Sequence, residues 1–209
     1  MASVDEARLA VARGASLIGL VSAMPSGPGP IPEEQIAEIA ATVPPGVTSV
    51  LLTAHTDPAA IAEQQARCGV RAIQFVDRVE PDAMRDLREA LPGIALIQVV
   101  HVAGEQSVAE AIHAAPLVDA LLLDSGRPDL AIKELGGTGR VHDWQISHRI
   151  REAVDIPVLL AGGLRAENVR EAIETVRPYA VDVCTGVRTN GLLDDDRLTQ
   201  FMDAVEGSR

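Results

Sequence analysis

Residues 119–125 read Asp119-Ala120-Leu121-Leu122-Leu123-Asp124-Ser125, and residues 157–164 read Pro157-Val158-Leu159-Leu160-Ala161-Gly162-Gly163-Leu164. Each is a short, unbroken apolar run closed by polar or glycine residues, which is how a strand buried on both faces reads. Between them a glycine-rich stretch leads into a helical pattern at 144–154. An apolar strand, a helix and a second apolar strand make a βα unit, and βα units imply parallel pairing.

The same alternation extends in both directions. Strand-like runs fall at 16–21, 47–53, 72–76, 95–102, 120–125, 157–163 and 180–187. Helical patterns fall at 4–13, 33–42, 58–67, 81–90, 105–115, 144–154, 166–176 and 194–205. Right-handed crossovers let such a series close as a barrel or spread as a doubly wound sheet. The strands are short and evenly repeated, with one βα unit in roughly 25 residues, which suits an eight-fold barrel with short connections. No Gly-x-Gly-x-x-Gly follows a first strand, as a dinucleotide-binding sheet would require. The expected fold is therefore α/β, a (β/α)8 TIM barrel formed as a single domain over residues 1–209.

Met1-Ala2-Ser3 runs straight into the first helix, with Ser3 placed as its N-cap and Glu6 at the capping-box spacing. Eight helices against seven strands imply a barrel whose first β-strand is missing from this chain. The strands flanking the vacant place would present unpaired edges, which proteins keep covered. A homodimer, local rearrangement or residues upstream of Met1 would each cover them.

Hydrophobic residues make up 47% of the chain and aromatics only 2%, so the core must be built from Ala, Val, Leu and Ile. That is the composition of a parallel sheet covered by helices. The formal net charge of −12, from 30 acidic against 18 basic residues, argues against a nucleic-acid partner and against an anionic membrane surface. What it leaves open is a small phosphate held locally. No apolar run approaches the ~20 residues needed to span a bilayer. With no signal peptide at its start and only Cys68 and Cys184 as thiols, the chain reads as cytoplasmic and reduced.

Several segments carry chemistry. Asp124 closes an apolar strand, and strand-terminal carboxylates at a barrel mouth are where catalytic acids and bases sit. The same carboxylate could instead cap the following loop. Gly136-Gly137-Thr138-Gly139-Arg140-Val141-His142-Asp143 leads into a helix capped by Asp143. Glycines there let backbone N–H groups approach an anion, although a mobile loop would read the same way. Gly162 and Gly163 end one strand run, and Val181-Asp182-Val183-Cys184-Thr185-Gly186-Val187 ends another in Thr185-Gly186. A tight turn would explain any one of these glycines. Their coincidence after the last two strands matches the place where many barrels bind phosphate through loop amides. The run Met24-Pro25-Ser26-Gly27-Pro28-Gly29-Pro30-Ile31-Pro32 must be a loop, because proline restricts both itself and its predecessor.

Taken in order, Leu-Leu-Leu-Asp-Ser, Gly-Gly-Thr-Gly with Asp-Trp close behind, Leu-Ala-Gly-Gly-Leu with Glu-Asn-Val, Val-Arg-Pro-Tyr-Ala-Val-Asp-Val and Thr-Gly-Val resemble the phosphoribosylanthranilate isomerase family. The resemblance is dense over 118–187 and weaker around Ile73-Gln74-Phe75. It implies a phosphate-binding (β/α)8 barrel that carries out an Amadori rearrangement in tryptophan biosynthesis, turning an aminoaldose phosphate into an aminoketose. No cofactor and no metal is implied. Asp124 falls on the family's general acid. Gly137, Gly139, Gly162, Gly163, Thr185 and Gly186 fall on the substrate and phosphate loops, and Asp182 matches a carboxylate near the substrate.

Three family features find no match. The general base is a Cys at the end of the first strand, which this chain lacks. The loop Arg that holds the substrate carboxylate is replaced by Ser26-Gly27-Pro28-Gly29-Pro30, and Val76 stands where a strand-end His is expected. Cys184 lies near the vacant place, and a thiolate there would need local amide dipoles to favour it. His55, His101 and His142 could each titrate near neutrality, yet isolated histidines are usually structural or solvated. Three readings stand: an isomerase acting on a small phosphorylated sugar, a non-catalytic barrel that binds a phosphometabolite, or another phosphate-using barrel enzyme with a different substrate, which the Asp-Trp placement after the Gly loop disfavours.

Overall fold

The computed structural model describes residues 1–25, 29–126 and 141–208, divided into two compact units. The first comprises Met1–Val99 with Leu117–Asp119, and the second Val100–Pro116 with Ala120–Arg209.

The first unit runs α1 (Val4–Ala12), β1 (Leu17–Val21), α2 (Glu33–Thr42), β2 (Thr48–Thr53), α3 (Pro58–Cys68), β3 (Ala72–Phe75), α4 (Pro81–Ala90) and most of β4 (Ala95–His101). The pairing is parallel throughout, with Leu17 beside Thr48, Val50 beside Ala72 and Ala72 beside Ala95. All four residues of β3 are buried, the signature of a strand covered on both faces. Half of the expected capping box forms, with Ser3 Oγ accepting from the Glu6 N–H, while the Glu6 carboxylate reaches one residue further back and accepts from the Ala2 N–H. Ile36 and Ile39, one turn apart on α2, are fully buried, each such side chain contributing about 1.5–3 kcal/mol.

Among the described residues the first element is α1. The side of β1 away from β2 is met by the chain itself. The Met1 amine donates to Gly19 O, and the Ile31 N–H donates to Val21 O at 2.9 Å. Two carbonyls of that strand are thereby capped locally.

The second unit begins with the end of β4. It continues through α5 (Gln106–Ala114), β5 (Ala120–Asp124), α6 (Trp144–Ala153), β6 (Val158–Leu160), α7 (Val169–Val176), β7 (Ala180–Val181), β8 (Arg188–Thr189), β9 (Leu192–Leu193) and α8 (Asp195–Glu206). Parallel pairing sets Leu121 beside Val158 and Leu159 beside Ala180. Every residue of β5 is buried. Asp143 and Asp194 cap α6 and α8, accepting from the Gln145 and Arg197 N–H groups.

Three expected boundaries shift. The strand over 157–163 stops at Leu160, because Gly162 and Gly163 take φ of 85° and 65°, outside the extended region. The strand over 180–187 stops at Val181, and Thr185–Val187 forms a 3₁₀ turn. The helix expected from Ala166 starts at Val169, since residues before it are held in a turn by Asn168. No described helix is long and apolar enough to cross a membrane.

Candidate active site

The candidate residues gather where β5, β6 and β7 of the second unit give way to their loops. Asp124 is the last residue of β5 and only 8% exposed. Its backbone is fixed on both sides of the carbonyl: its O accepts from the Val102 N–H at 2.8 Å, and its own Oδ1 accepts from the Ser125 N–H at 2.7 Å. A carboxyl held this way at a strand end has a defined direction, the first requirement for proton transfer.

That direction is toward Gly162. A Cβ built on Gly162 would stand 3.0 Å from His142 Nδ1, 3.1 Å from Asp124 Oδ1 and 3.1 Å from Ser125 Oγ. Gly162 therefore does two jobs. Its φ suits a residue without a side chain, and the missing side chain leaves a small space onto which three polar atoms converge. Gly163 follows and is pinned by Asn168, whose Nδ2 donates to Gly163 O at 3.1 Å while its Oδ1 accepts from the Arg165 N–H at 2.9 Å.

Gly186, in the 3₁₀ turn after β7, touches the same loop. A Cβ there would lie 2.0 Å from Leu164 O, so the two strand-to-helix loops pack backbone against backbone only because position 186 carries no side chain. Thr185 opens that turn. Gly186 thus meets the loop that follows Gly162 and Gly163, and Thr185-Gly186 sits in a 3₁₀ turn rather than at the strand end expected from the sequence. Gly137 and Gly139 lie outside the described residues.

Asp182 follows β7. Its side chain opens to solvent at the surface but is ringed by protein atoms, and that desolvation, followed by the charge of Asp124, raises its carboxyl to about 6. Cys184 is exposed at the surface, yet crowding raises its thiol above the ordinary value, against the partial relief of Arg188. A thiol raised in this way is not poised as a thiolate base. Cys68, on α3, is buried and raised further, to about 11, as a packing residue would be. His55 is exposed in the loop after β2, and His101 ends β4.

An open cleft of about 570 Å³ is lined by Gly186 together with Arg165, Glu167, Asp194, Asp196 and Arg197. Three carboxylates against two guanidiniums leave it no excess of positive charge for a phosphate dianion, and Asp124 does not line it.

Two features escaped the sequence reading. The hairpin of β8 and β9 turns on Asn190-Gly191, both at positive φ, and the Asn-Gly pair itself was its legible signal. The second is the direction of His142. It stands immediately before the α6 cap, and a residue there packs onto the second turn of its helix. Here that contact is polar, with His142 Nε2 2.7 Å from Ser147 Oγ.

A strand-end carboxyl beside the glycine loops that follow the neighbouring strands is the arrangement of a phosphate-binding (β/α)8 barrel. Comparisons with known proteins agree. Residues 4–204 match the family described as N-(5'phosphoribosyl)anthranilate (PRA) isomerase. The N-(5'-phosphoribosyl)anthranilate isomerase of Methanocella arvoryzae is 34% identical over 202 residues, 96% of this chain and 92% of the relative. That of Desulforudis audaxviator is 39% identical over 203 residues, 95% of this chain and 91% of the relative. The solved phosphoribosyl anthranilate isomerase from Thermotoga maritima superposes with a TM-score of 0.85 at 29% identity, covering 99% of this chain and 96% of that one. A phosphoribosyl anthranilate isomerase in complex with reduced 1-(o-carboxyphenylamino)-1-deoxyribulose 5-phosphate gives 0.82 at 27% identity, covering 99% and 95%. The chain belongs to the PRA isomerase family.

Proposed function

We propose that this chain isomerises N-(5'-phosphoribosyl)anthranilate, an aminoaldose phosphate, to the corresponding 1-amino-1-deoxyketose phosphate, a step of tryptophan biosynthesis. The observation that carries this reading is Asp124, buried and aimed at the space over Gly162. In the proposed reaction the Asp124 carboxyl gives its proton to the ribose ring oxygen and the C–O bond opens, leaving an iminium between nitrogen and C1. A base then removes the C2 proton to form an enolamine. Reprotonation at C1, with loss of the hydroxyl proton at C2, yields the ketone. Protons balance and no redox partner is needed.

The substrate phosphate is assigned to the loops of Gly162-Gly163 and Thr185-Gly186, with Gly137 and Gly139 contributing by resemblance. No residue of this chain matches the family's first-strand Cys. Asp182 is the better candidate for the second proton transfer, since a carboxyl raised to about 6 is largely charged at neutral pH and still basic enough to accept a proton. The partner is accordingly a small phosphorylated sugar. A homodimer remains a proposed way of covering strand edges; a relative from Thermotoga maritima is described as a dimeric enzyme from which monomers were generated.

The missing Arg and His matches favour testing one further reading, a barrel that binds the phosphometabolite without turning it over. Asp124→Asn separates the two. For the isomerase, kcat falls by about 10²–10⁴ while the substrate still binds, and the wild-type gene restores growth of a tryptophan auxotroph deficient in this step. A purified wild-type chain that binds the aminoaldose phosphate but never converts it would overturn the catalytic reading.

A further inference from the structure

One titratable group at the corner of Asp124 has no part in the scheme above. His142 is half-buried, and its Nε2 is held at 2.7 Å by Ser147 Oγ on the second turn of α6. That anchor fixes the plane of the ring. The opposite nitrogen, Nδ1, is buried and has no hydrogen-bond partner. Leaving a buried polar atom unpaired costs of order 1–3 kcal/mol, so such an atom calls for an explanation.

The place it faces supplies one. Nδ1, Asp124 Oδ1 and Ser125 Oγ all lie within 3.1 Å of the same point above Gly162. Nδ1 makes no direct bond to either oxygen, but atoms gathered around one point in this way are close enough for a proton to pass through one bridging water. Asp124 must regain its proton before each new turnover, yet it is only 8% exposed. His142 beside it is only half-buried.

We propose that His142 is the proton partner of Asp124, a positioning residue that returns to the carboxyl the proton lost in each turnover. This rests on the role assigned to Asp124. The step is balanced: imidazolium Nδ1–H passes its proton to the Asp124 carboxylate, leaving a neutral imidazole and a carboxylic acid, and the ring recovers a proton from solvent once product has left. Burial is the main influence on the ring and lowers its proton affinity, while the charges of Asp124 on β5 and Asp143 at the α6 cap pull it back up. The ring therefore holds a proton more firmly when Asp124 is charged, which is when the proton is required.

Two measurements test the proposal, and the first does not depend on turnover. NMR titration of His142 in the wild type and in Asp124→Asn should show the ring pKa lower in the variant by about half a unit or more, because the charge that raises it has gone. Identical titration in the two proteins would overturn the pairing. The second measurement compares His142→Phe and His142→Asn with the wild type. Phe keeps the ring volume, and Asn restores a donor near the Nδ1 position but cannot carry a proton. Both should lower kcat about tenfold or more with little change in KM, and exogenous imidazole should restore rate to His142→Ala. Full activity in His142→Asn would overturn the proposal by showing that only a hydrogen bond is needed. If the wild type does not turn over the aminoaldose phosphate, the activity reading falls, and the NMR comparison alone decides the pairing.

Discussion

The strands of the two units end differently. In the first, the polar groups that close the strands are consumed by nearby backbone. Ser22 Oγ donates to Leu52 O at 2.8 Å, Thr53 Oγ1 accepts from the His55 N–H at 3.2 Å, and Val76 after β3 is simply buried. In the second unit the strand ends carry a buried carboxyl, a glycine pair at positive φ, a second carboxyl with a raised pKa and a Thr-Gly turn. One βα unit thus serves two purposes. Where the strand-end groups are satisfied locally the unit reads as scaffold, and where they stay charged or bare of side chains it offers the groups that a site would need.

That contrast can be broken by experiment. Ile39→Ala, in the first unit, removes a fully buried side chain of α2 and should cost about 2–5 kcal/mol of unfolding free energy. Below its lowered Tm the variant should keep wild-type kcat and KM, and a change in either would mean that this unit is more than scaffold. Gly186→Ala, in the second, should cost about 1–3 kcal/mol, because the new methyl group must push Leu164 O away. Its distinguishing feature is a raised KM for phosphorylated substrate in the molecules that remain folded. Unchanged KM would detach this turn from the phosphate.

On stability, as distinct from the loss of turnover expected of a proposed base, Asp182→Asn gives the smallest effect and the clearest sign. The folded state holds the Asp182 proton to about 6, against an ordinary 3.8. Stability associated with this group is therefore greatest at low pH and is lost as pH rises from about 4 through 6. The Asn variant should melt above the wild type at pH 8, with the gap closing below pH 4, and the open surface of the side chain keeps that gap small. A gap that widened on acidification would refute the assigned shift.

Much of this was legible in the residues. Unbroken apolar runs such as Leu121-Leu122-Leu123 can only be strands buried on both faces, and the alternating helices then dictate parallel pairing. The ends of those runs were less legible. Gly162 and Thr185 read as strand termini because local pattern carries no information about φ, and the true ends depend on which loops pack together. Asn168 showed its motif but not its bond to Gly163 O, a contact that exists only once the turn has formed.

By itself, then, the sequence determined the order of the helices and of the seven parallel strands, the family and the carboxyl that closes the run at 120–124, since each follows from short-range periodicity or an ordered motif. Only the tertiary structure decided that Gly186 must admit Leu164 O, that Asp182 holds its proton to about 6, and that His142 turns its free nitrogen toward Asp124. Those are properties of atoms brought together from separate βα units, where distance and burial rather than residue type set the chemistry.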